Sequence, residues 1–147
     1  MKIYLAAPLE PYTRRPDMQL ALHELREIKG FDVYAPIEHT IPNAWDYPNN
    51  EWGLMVFAQD INAIKDCDVV VALSYGRNNT SSGTNWEIGF AFGIGKKVIV
   101  VEMDNDNFGC MSLMVANGRY ATVEGIEGLK HYDWENMPKT RTTRTQS

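Results

Sequence analysis

A polar, glycine-containing segment in the middle of the chain has residue types that could do chemistry. It reads SSGTNWEIG from Ser81 to Gly89 and directly follows the strongest apolar run, DVVVAL. The hydroxyls and backbone N–H groups of Ser81, Ser82 and Gly83 suit an anion or sugar hydroxyls. Glu87 adds a carboxylate near the start of the next helix, where the helix dipole favours the ionised, nucleophilic form.

The same segment also has a purely structural interpretation. Thr84 and Glu87 form the pattern T-x-x-E, a capping box in which the glutamate satisfies a backbone N–H at the helix start. Spacing alone favours this interpretation, and a chemical role for the carboxylate stays open beside it.

Two further side chains are candidates for the same site. Asp60 shares a helical face with Trp52 and Val56, and an acid on an otherwise apolar face near strand ends indicates a functional site. An exposed polar position is the alternative for Asp60. Tyr4 lies in the first apolar strand, where a tyrosine is usually a core residue. Its hydroxyl needs a partner, and a carboxylate at an adjacent strand end would be one.

Alternating strands and helices must position these residues. The sequence predicts strands at 2–7, 32–35, 68–73, 97–101 and 120–123, and helices at 16–29, 50–65, 84–95, 110–116 and from 125 onward. Short apolar strands alternating with amphipathic helices indicate a parallel sheet covered on both faces, with ligands at the carboxyl ends of the strands. The irregular segment 36–50 carries Trp45 and Tyr47, which is typical of an ordered binding loop. Trp45, Tyr47 and Trp52 are candidates to stack on a flat ligand, with core packing as the alternative.

Composition excludes several classes of protein. The 147 residues carry a net charge of −5, and the cations of the tail at 138–147 have no acid beside them. The body at 1–137 is therefore expected to be one acidic domain that does not bind nucleic acid, followed by a disordered basic tail. No apolar run is long enough to span a membrane. The two cysteines show no disulfide or zinc pattern, so a reducing, cytoplasmic location is expected.

The usual cofactor and hydrolase motifs are absent from the chain. There is no P-loop, no GxGxxG after the first strand, no HExxH and no GxSxG, so these nucleotide, zinc and serine-hydrolase sites are not predicted. His23, His39 and His131 are scattered without an acid spaced to form a metal site, and we interpret them as structural or surface residues.

Four sequence blocks resemble the nucleoside 2-deoxyribosyltransferase family. They are KIYLAAP from residue 2, QDINAIKDCDVVVAL, SGTNWEIGFAFGIGKKVIVV, and SLM at 112–114, and they span most of residues 1–137 in the family's order. The resemblance implies an α/β, flavodoxin-like, doubly wound sheet of five parallel strands with helices on both faces. It also implies a homodimer or larger homo-oligomer in which a loop from a neighbour, matched by Ser112 and Met114, completes each site.

The resemblance also assigns roles to the candidate residues. Glu87 matches the family's nucleophile and Tyr4 the tyrosine that orients it, while Asp60 matches the aspartate that contacts and helps to protonate the base. No metal or organic cofactor is implied.

Two positions depart from the transferases. Ser81 stands where they carry an aspartate, and Ser112 stands where they carry an asparagine. Both changes resemble the branch of 2′-deoxynucleoside 5′-monophosphate N-glycosidases, in which serines bind the 5′-phosphate. A carboxylate would repel that phosphate, whereas a hydroxyl donates to it. The first loop, AAPLEPYTRR, is more similar to the transferases, and Arg14 or Arg15 within it is a candidate phosphate contact.

The expected function is therefore cleavage of the N-glycosidic bond of deoxynucleoside 5′-monophosphates, giving free base and deoxyribose 5-phosphate through a covalent glycosyl ester on Glu87. One alternative is a nucleoside 2-deoxyribosyltransferase that exchanges bases between deoxynucleosides. Another, of a different class, is a non-catalytic nucleotide-binding sensor domain.

Overall fold

A parallel sheet of five strands forms the centre of the protein. The computed structural model describes residues 1–103 and 106–147. Its strands are β1 (Lys2–Ala6), β2 (Asp32–Tyr34), β3 (Val69–Ser74), β4 (Lys97–Glu102) and β5 (Ala121–Glu124). They lie in the order β2-β1-β3-β4-β5, and each neighbouring pair is parallel. This is the strand order of a flavodoxin-like, doubly wound sheet, so the predicted fold class is confirmed.

Helices cover both faces of the sheet. They are α1 (Arg15–His23), α2 (Asn49–Asp66), α3 (Ser82–Gly93), α4 (Leu113–Asn117) and α5 (Gly125–His131). Because side chains alternate along a strand, the three central strands β1, β3 and β4 contribute to two cores. Leu5 and Val71 lie in the core shared with α1 and α5, whereas Ala6 and Val70 lie in the core shared with α2, α3 and α4. No helix in the described ranges is long and apolar enough to cross a membrane.

The first helix differs from the prediction in its last turn. The α-helical part ends at His23 and continues as one π turn over Glu24–Ile28. A π turn holds one residue more than an α turn, so the residues after it rotate off the buried face. Leu25 is still fully buried, but Ile28 is exposed.

The C-terminal residues 138–147 differ from the expected disordered tail. The structure places them against the last two strands. The Thr140 hydroxyl accepts a hydrogen bond from the Thr122 backbone N–H at 3.0 Å, and Arg144 forms an ion pair with Glu102. Glu102 is buried at the end of β4, and a buried carboxylate requires a cation beside it. That requirement is the physical reason why a polar tail packs here.

Candidate active site

The structure brings three predicted site residues together beside β1. Tyr4 on β1 is fully buried, and its hydroxyl is close enough to both Glu87 on α3 and Asp60 on α2 for their charges to act on it. Asp60 and Glu87 line one cavity of about 440 Å³ between α2 and α3, together with Trp52 and Gly83. Two carboxyl groups therefore face one cavity that is large enough for a small organic ligand.

The start of α3 differs from the predicted capping box. Ser81 is the N-cap residue: its hydroxyl accepts from the Thr84 N–H at 3.2 Å and donates to the Thr84 hydroxyl at 2.8 Å. The helix begins at Ser82, so Glu87 lies in its second turn and does not cap it. The capping-box interpretation of Glu87 is wrong, because the Ser81 hydroxyl supplies the cap three residues before Thr84.

One oxygen atom of the Glu87 carboxyl group is buried. This Oε2 atom and the Tyr4 hydroxyl both have no hydrogen-bond partner among the described residues. Burial raises the pKa of Glu87 to about 7; the neighbouring Tyr4 hydroxyl lowers this pKa, and the charge of Asp60 raises it. Burial therefore opposes the effect that the sequence analysis expects of the helix dipole, which favours the ionised form of Glu87.

Sequence reasoning missed two aromatic residues of this site. Tyr34 pairs in register with Tyr4 across β2 and β1, and their rings stack with centroids 5.6 Å apart. The Tyr34 hydroxyl donates to Asp60 Oδ1 at 3.2 Å, and the His39 ring also stacks on Tyr34 at 4.1 Å. The available signal was a second tyrosine at the carboxyl end of a strand predicted to neighbour the first.

Asp60 is an acid that accepts a hydrogen bond from the Tyr34 hydroxyl. Burial raises the pKa of Asp60, while the Tyr34 hydrogen bond and the charge of His39 lower it. Burial and the Asp60 charge raise the pKa of Tyr34 to about 12, so Tyr34 keeps its proton at neutral pH. Two carboxyl groups whose pKa values are both raised can divide the roles of proton donor and ionised nucleophile.

The loop between β3 and α3 is held in place before it reaches Ser81. The Thr80 hydroxyl accepts from the Tyr75 N–H at 2.8 Å and donates to the Gly76 carbonyl at 2.8 Å. Gly76 has a φ of +91°, and a Cβ there would lie 1.9 Å from the Phe108 carbonyl oxygen. Only glycine fits this close approach, which fixes the position from which Ser81 starts the helix.

The two arginines of the first loop differ in their contacts. Arg14 donates to the Asn79 carbonyl oxygen and lies 4.0 Å from the centre of the Tyr75 ring, so it packs on the loop before α3. Arg15 lies over the Tyr12 ring at 4.1 Å, and its Nε is buried without a hydrogen-bond partner in the described part of the chain. Of these two arginines, Arg15 is therefore the one whose Nε is available to a ligand.

Ser112 and Met114 lie on the other side of α3. They line a separate cavity of about 460 Å³ with Asn85 and Gly89. Ser112 is the N-cap of α4 and accepts from the Val115 N–H at 3.5 Å. One chain therefore does not bring these two residues to Glu87.

Trp45 also lies apart from the cavity of Glu87. Its side chain is 83% exposed, and it lines a shallow cavity of about 360 Å³ with Tyr47 and Trp52. Trp52 alone of the predicted aromatic residues faces both cavities. Within residues 1–103 and 106–147, no three His, Cys, Asp or Glu side chains are grouped so that they could hold a metal ion.

The sequence matches the family model described as nucleoside 2-deoxyribosyltransferase over residues 3–128. The chain belongs to this family. A 2-deoxyribosyltransferase from Bacillus psychrosaccharolyticus is 27% identical, with a TM-score of 0.84 over 97% of this chain and 99% of that one. No curated protein sequence is significantly similar to this chain.

Two more distant structures share the fold of this deoxyribosyltransferase family member. A conserved protein from Enterococcus faecalis V583 is 22% identical, with a TM-score of 0.71 over 88% of this chain and 94% of that one. The CMP N-glycosidase BcmB from Clostridium botulinum is 19% identical, with a TM-score of 0.58 over 88% and 95%. As a member of the nucleoside 2-deoxyribosyltransferase family, the chain is an enzyme that acts on the glycosidic bond of nucleosides or nucleotides.

Proposed function

We propose that this enzyme hydrolyses the N-glycosidic bond of 2′-deoxynucleoside 5′-monophosphates to free base and deoxyribose 5-phosphate. The observation that carries the proposal is Ser81 at the N-terminus of α3, a helix of 12 residues. The first N–H groups of a helix have no acceptor within it and favour a negative charge. By turning its hydrogen away from the Thr84 hydroxyl, the Ser81 hydroxyl can donate to a phosphate, whereas the carboxylate found there in the transferases would repel it.

The proposed reaction uses the two carboxyl groups that face the cavity. The ionised Glu87 oxygen attacks C1′ as the bond from C1′ to the base breaks, and protonated Asp60 gives its proton to the departing base. Asp60, now ionised, removes a proton from water, whose oxygen attacks C1′ of the ester and releases Glu87. This two-step sequence is that of a retaining glycosidase, and it returns both carboxyl groups to their starting states.

The electrostatics of the cavity keep the two carboxyl groups from being ionised together. Burial is the largest cause of the raised pKa in both Glu87 and Asp60. Because the charge of Asp60 raises the pKa of Glu87 further, the state with one proton shared by the pair is favoured near neutral pH. Tyr4 sits beside Glu87 as the orienting hydroxyl, and Tyr34 holds Asp60.

We also propose that the active unit is a homo-oligomer with shared sites. Ser112 and Met114 face away from Glu87 within one chain, so they reach a site only if a neighbouring copy supplies them. Large apolar side chains are exposed on α4, α3 and α2: Met114 is 78% exposed, Trp86 50% and Phe57 49%. Such an apolar surface is typical of a protein–protein interface.

Product analysis tests the proposed substrate. Each deoxynucleoside and each deoxynucleoside 5′-monophosphate is incubated with the enzyme, with and without a second base, and products are separated by chromatography. Contacts from two hydroxyls to a phosphate predict a preference for the monophosphate on the order of 10²-fold or more. Preference for unphosphorylated nucleosides, with transfer to the added base, would overturn the proposal.

A charge substitution makes the test specific to Ser81. Ser81→Asp places a carboxylate at the proposed phosphate position, so activity on the monophosphate falls more than activity on the nucleoside. Asn62→Asp is the matched control, because it adds the same charge on an exposed position of α2 outside the cavity of Glu87. Equal losses on both substrates in Ser81→Asp would contradict a phosphate contact.

A second candidate function is base exchange between deoxynucleosides. The 27% identity to the Bacillus psychrosaccharolyticus transferase over 97% of this chain favours it, and the assay with a second base detects it directly. A non-catalytic sensor is disfavoured by the buried, unpartnered Glu87 oxygen, because a binding module has no need of a nucleophile. Release of any free base excludes the sensor.

A further inference from the structure

A further cavity lies at the opposite end of the sheet from Glu87. It has a volume of about 400 Å³, and basic residues dominate its lining, which consists of Phe92, Gly95, Lys96, Lys97, Arg119, Tyr120, Lys139 and Arg141. Lys97 begins β4 and Tyr120 directly precedes β5, so the cavity sits at the amino ends of these strands. The candidate active site follows the carboxyl end of β3, and the two cavities share no lining residue.

Five of the chain's 14 lysines and arginines line this cavity, and no carboxylate does. Within the described ranges, no Asp or Glu forms an ion pair with any of the five. The remaining nine cations are spread over a chain with 19 acidic residues. Such a concentration of one charge inside an acidic protein costs free energy unless a counter-charge joins it.

Two of the ammonium groups are held by one aromatic ring. The Lys97 and Lys139 Nζ atoms lie 4.9 and 5.6 Å from the centre of the Tyr120 ring. The Tyr120 hydroxyl donates to the Met137 carbonyl at 2.7 Å, which fixes the ring. Cation–π contacts of this kind keep the two lysines at the cavity. Lys96 is anchored separately, because its Nζ donates to the carbonyls of Lys65 and Cys67.

The two guanidinium groups have capacity left for a ligand. The Arg119 Nε is buried and has no hydrogen-bond partner in the described structure. Burial lowers the pKa of Arg119, and the charge of Arg141 lowers it further, which shows that the two groups repel each other. A buried donor without an acceptor is costly, and an anion between the two arginines would satisfy the donor and remove the repulsion.

We propose that this cavity binds a small oligophosphate, either free or as the phosphate chain of a nucleotide. A single phosphate would occupy only part of the space and neutralise only part of the charge. Guanidinium groups bind phosphate oxygens in pairs, and lysines add point charges around them. The small size of the cavity and the acidic remainder of the chain favour a small molecule over a nucleic acid.

Calorimetric titration with inorganic pyrophosphate and, in a separate arm, with a nucleoside triphosphate tests the proposal. The intact chain is expected to bind pyrophosphate, and Arg119→Gln/Arg141→Gln to bind it at least about tenfold more weakly. Lys65→Gln/Lys130→Gln removes the same charge from exposed positions outside the cavity and is expected to bind as the parent does. Equal affinity for both ligands indicates recognition of two phosphates alone. Tighter triphosphate binding indicates added contacts to the third phosphate or the nucleoside, and both results support the site.

Two further measurements separate this cavity from the candidate active site and from misfolding. Ser81→Asp adds a charge at the candidate active site and is expected to leave unchanged the pyrophosphate binding that Arg119→Gln/Arg141→Gln weakens, since Ser81 does not line the cavity. Without ligand, Arg119→Gln/Arg141→Gln is expected to unfold at the same temperature as the parent or higher, because a repulsion is removed. No pyrophosphate or triphosphate binding at millimolar concentration, or equal binding by the cavity and control variants, would overturn the proposal.

Discussion

The Tyr34 hydroxyl donates a hydrogen bond to Asp60 Oδ1 at 3.2 Å. Tyr34 also stacks on Tyr4, the residue that lies beside Glu87. One strand pairing therefore sets the positions of both carboxyl groups, because Tyr34 and Tyr4 face each other across β2 and β1. The proposed proton donor and the proposed nucleophile are coupled through two adjacent tyrosines.

Tyr34→Phe is expected to change how Asp60 titrates. The Tyr34 hydrogen bond lowers the pKa of Asp60, so its loss raises that pKa. Since Asp60 must be protonated to assist the leaving base, the alkaline limb of the kcat/KM profile is expected to move to higher pH.

Tyr120→Phe is the control for this experiment. It also removes a tyrosine hydroxyl that donates a hydrogen bond, here to the Met137 carbonyl, at the far end of the sheet. Its pH profile is expected to match that of the parent. An alkaline limb that stays in place in Tyr34→Phe would show that Asp60 is not the group that must be protonated.

The acid limb of the same profile reports on Glu87. Its pKa is raised to about 7, mainly by burial, and the nucleophile must be ionised to attack. We expect kcat/KM to fall about tenfold per pH unit below that value. Measurement of initial rates between pH 5 and 9 checks this, and an acid limb near pH 4.5 would contradict it.

Glu87→Gln is expected to reduce turnover by at least about 10³-fold, because the nucleophile is lost. The same variant is expected to be more stable than the parent at alkaline pH. The folded-state pKa of about 7 exceeds the ordinary value of 4.5, so the folded state binds the proton more tightly. The free energy of unfolding of the parent therefore falls as pH rises from 4.5 to 7. Glutamine does not titrate, so the free energy of unfolding of the variant relative to the parent grows from pH 5 to pH 8, by up to about 3 kcal/mol.

Chemical denaturation at pH 5 and pH 8 measures the difference in free energy of unfolding. Mass spectrometry of the parent with a slow substrate is expected to detect the deoxyribosyl adduct on Glu87. Glu124→Gln is the control, because it neutralises an exposed acid that does not line the cavity of Glu87. Near-normal activity of Glu87→Gln would refute covalent catalysis.

Local patterns in the sequence predict the order of elements and the positions of Tyr4, Asp60 and Glu87, because apolar runs and helical spacing are local properties. Tyr34 could not be recognised, since its importance depends on the register between β1 and β2. The same limit applies to Arg144, whose partner Glu102 is 42 residues away. Burial of Glu87 also depends on tertiary packing, which is why its raised pKa could not be predicted from its place near a helix start.

Arg144→Gln is expected to destabilise the fold by about 3 kcal/mol or more, because it leaves the buried Glu102 without its cation. Adding Glu102→Gln is expected to restore much of the loss. Arg26→Gln is the control: Arg26 pairs with Glu38 at 2.6 Å, but both side chains are more exposed than those of the Arg144 pair. An exposed pair contributes about 1 kcal/mol or less, and equal losses in the two variants would contradict the role of burial.

Arg144→Gln is also expected to raise KM for the monophosphate. Residues 145–147 pair with the segment before α4: the Met111 N–H donates to the Thr145 carbonyl at 2.8 Å, and the Leu113 N–H donates to the Ser147 carbonyl at 3.0 Å. Ser112 lies between these two bonds. Loosening the tail therefore releases a proposed phosphate ligand, and an unchanged KM would show that the tail does not position Ser112.

Subunit mixing tests whether Ser112 acts across an interface. Within one chain Ser112 and Glu87 line different cavities on the two sides of α3. If sites are shared, a hybrid of Glu87→Ala and Ser112→Asp subunits has one site with both defects and one with neither. Random mixing of two inactive variants into dimers then restores about one quarter of the parent activity per mole of chain. Mixing Glu87→Ala with Asp60→Asn is the control: both residues belong to the same chain's cavity, so every hybrid site carries one defect and activity stays absent. Full activity of a strictly monomeric protein, or no recovery in the first mixture, would refute the shared site.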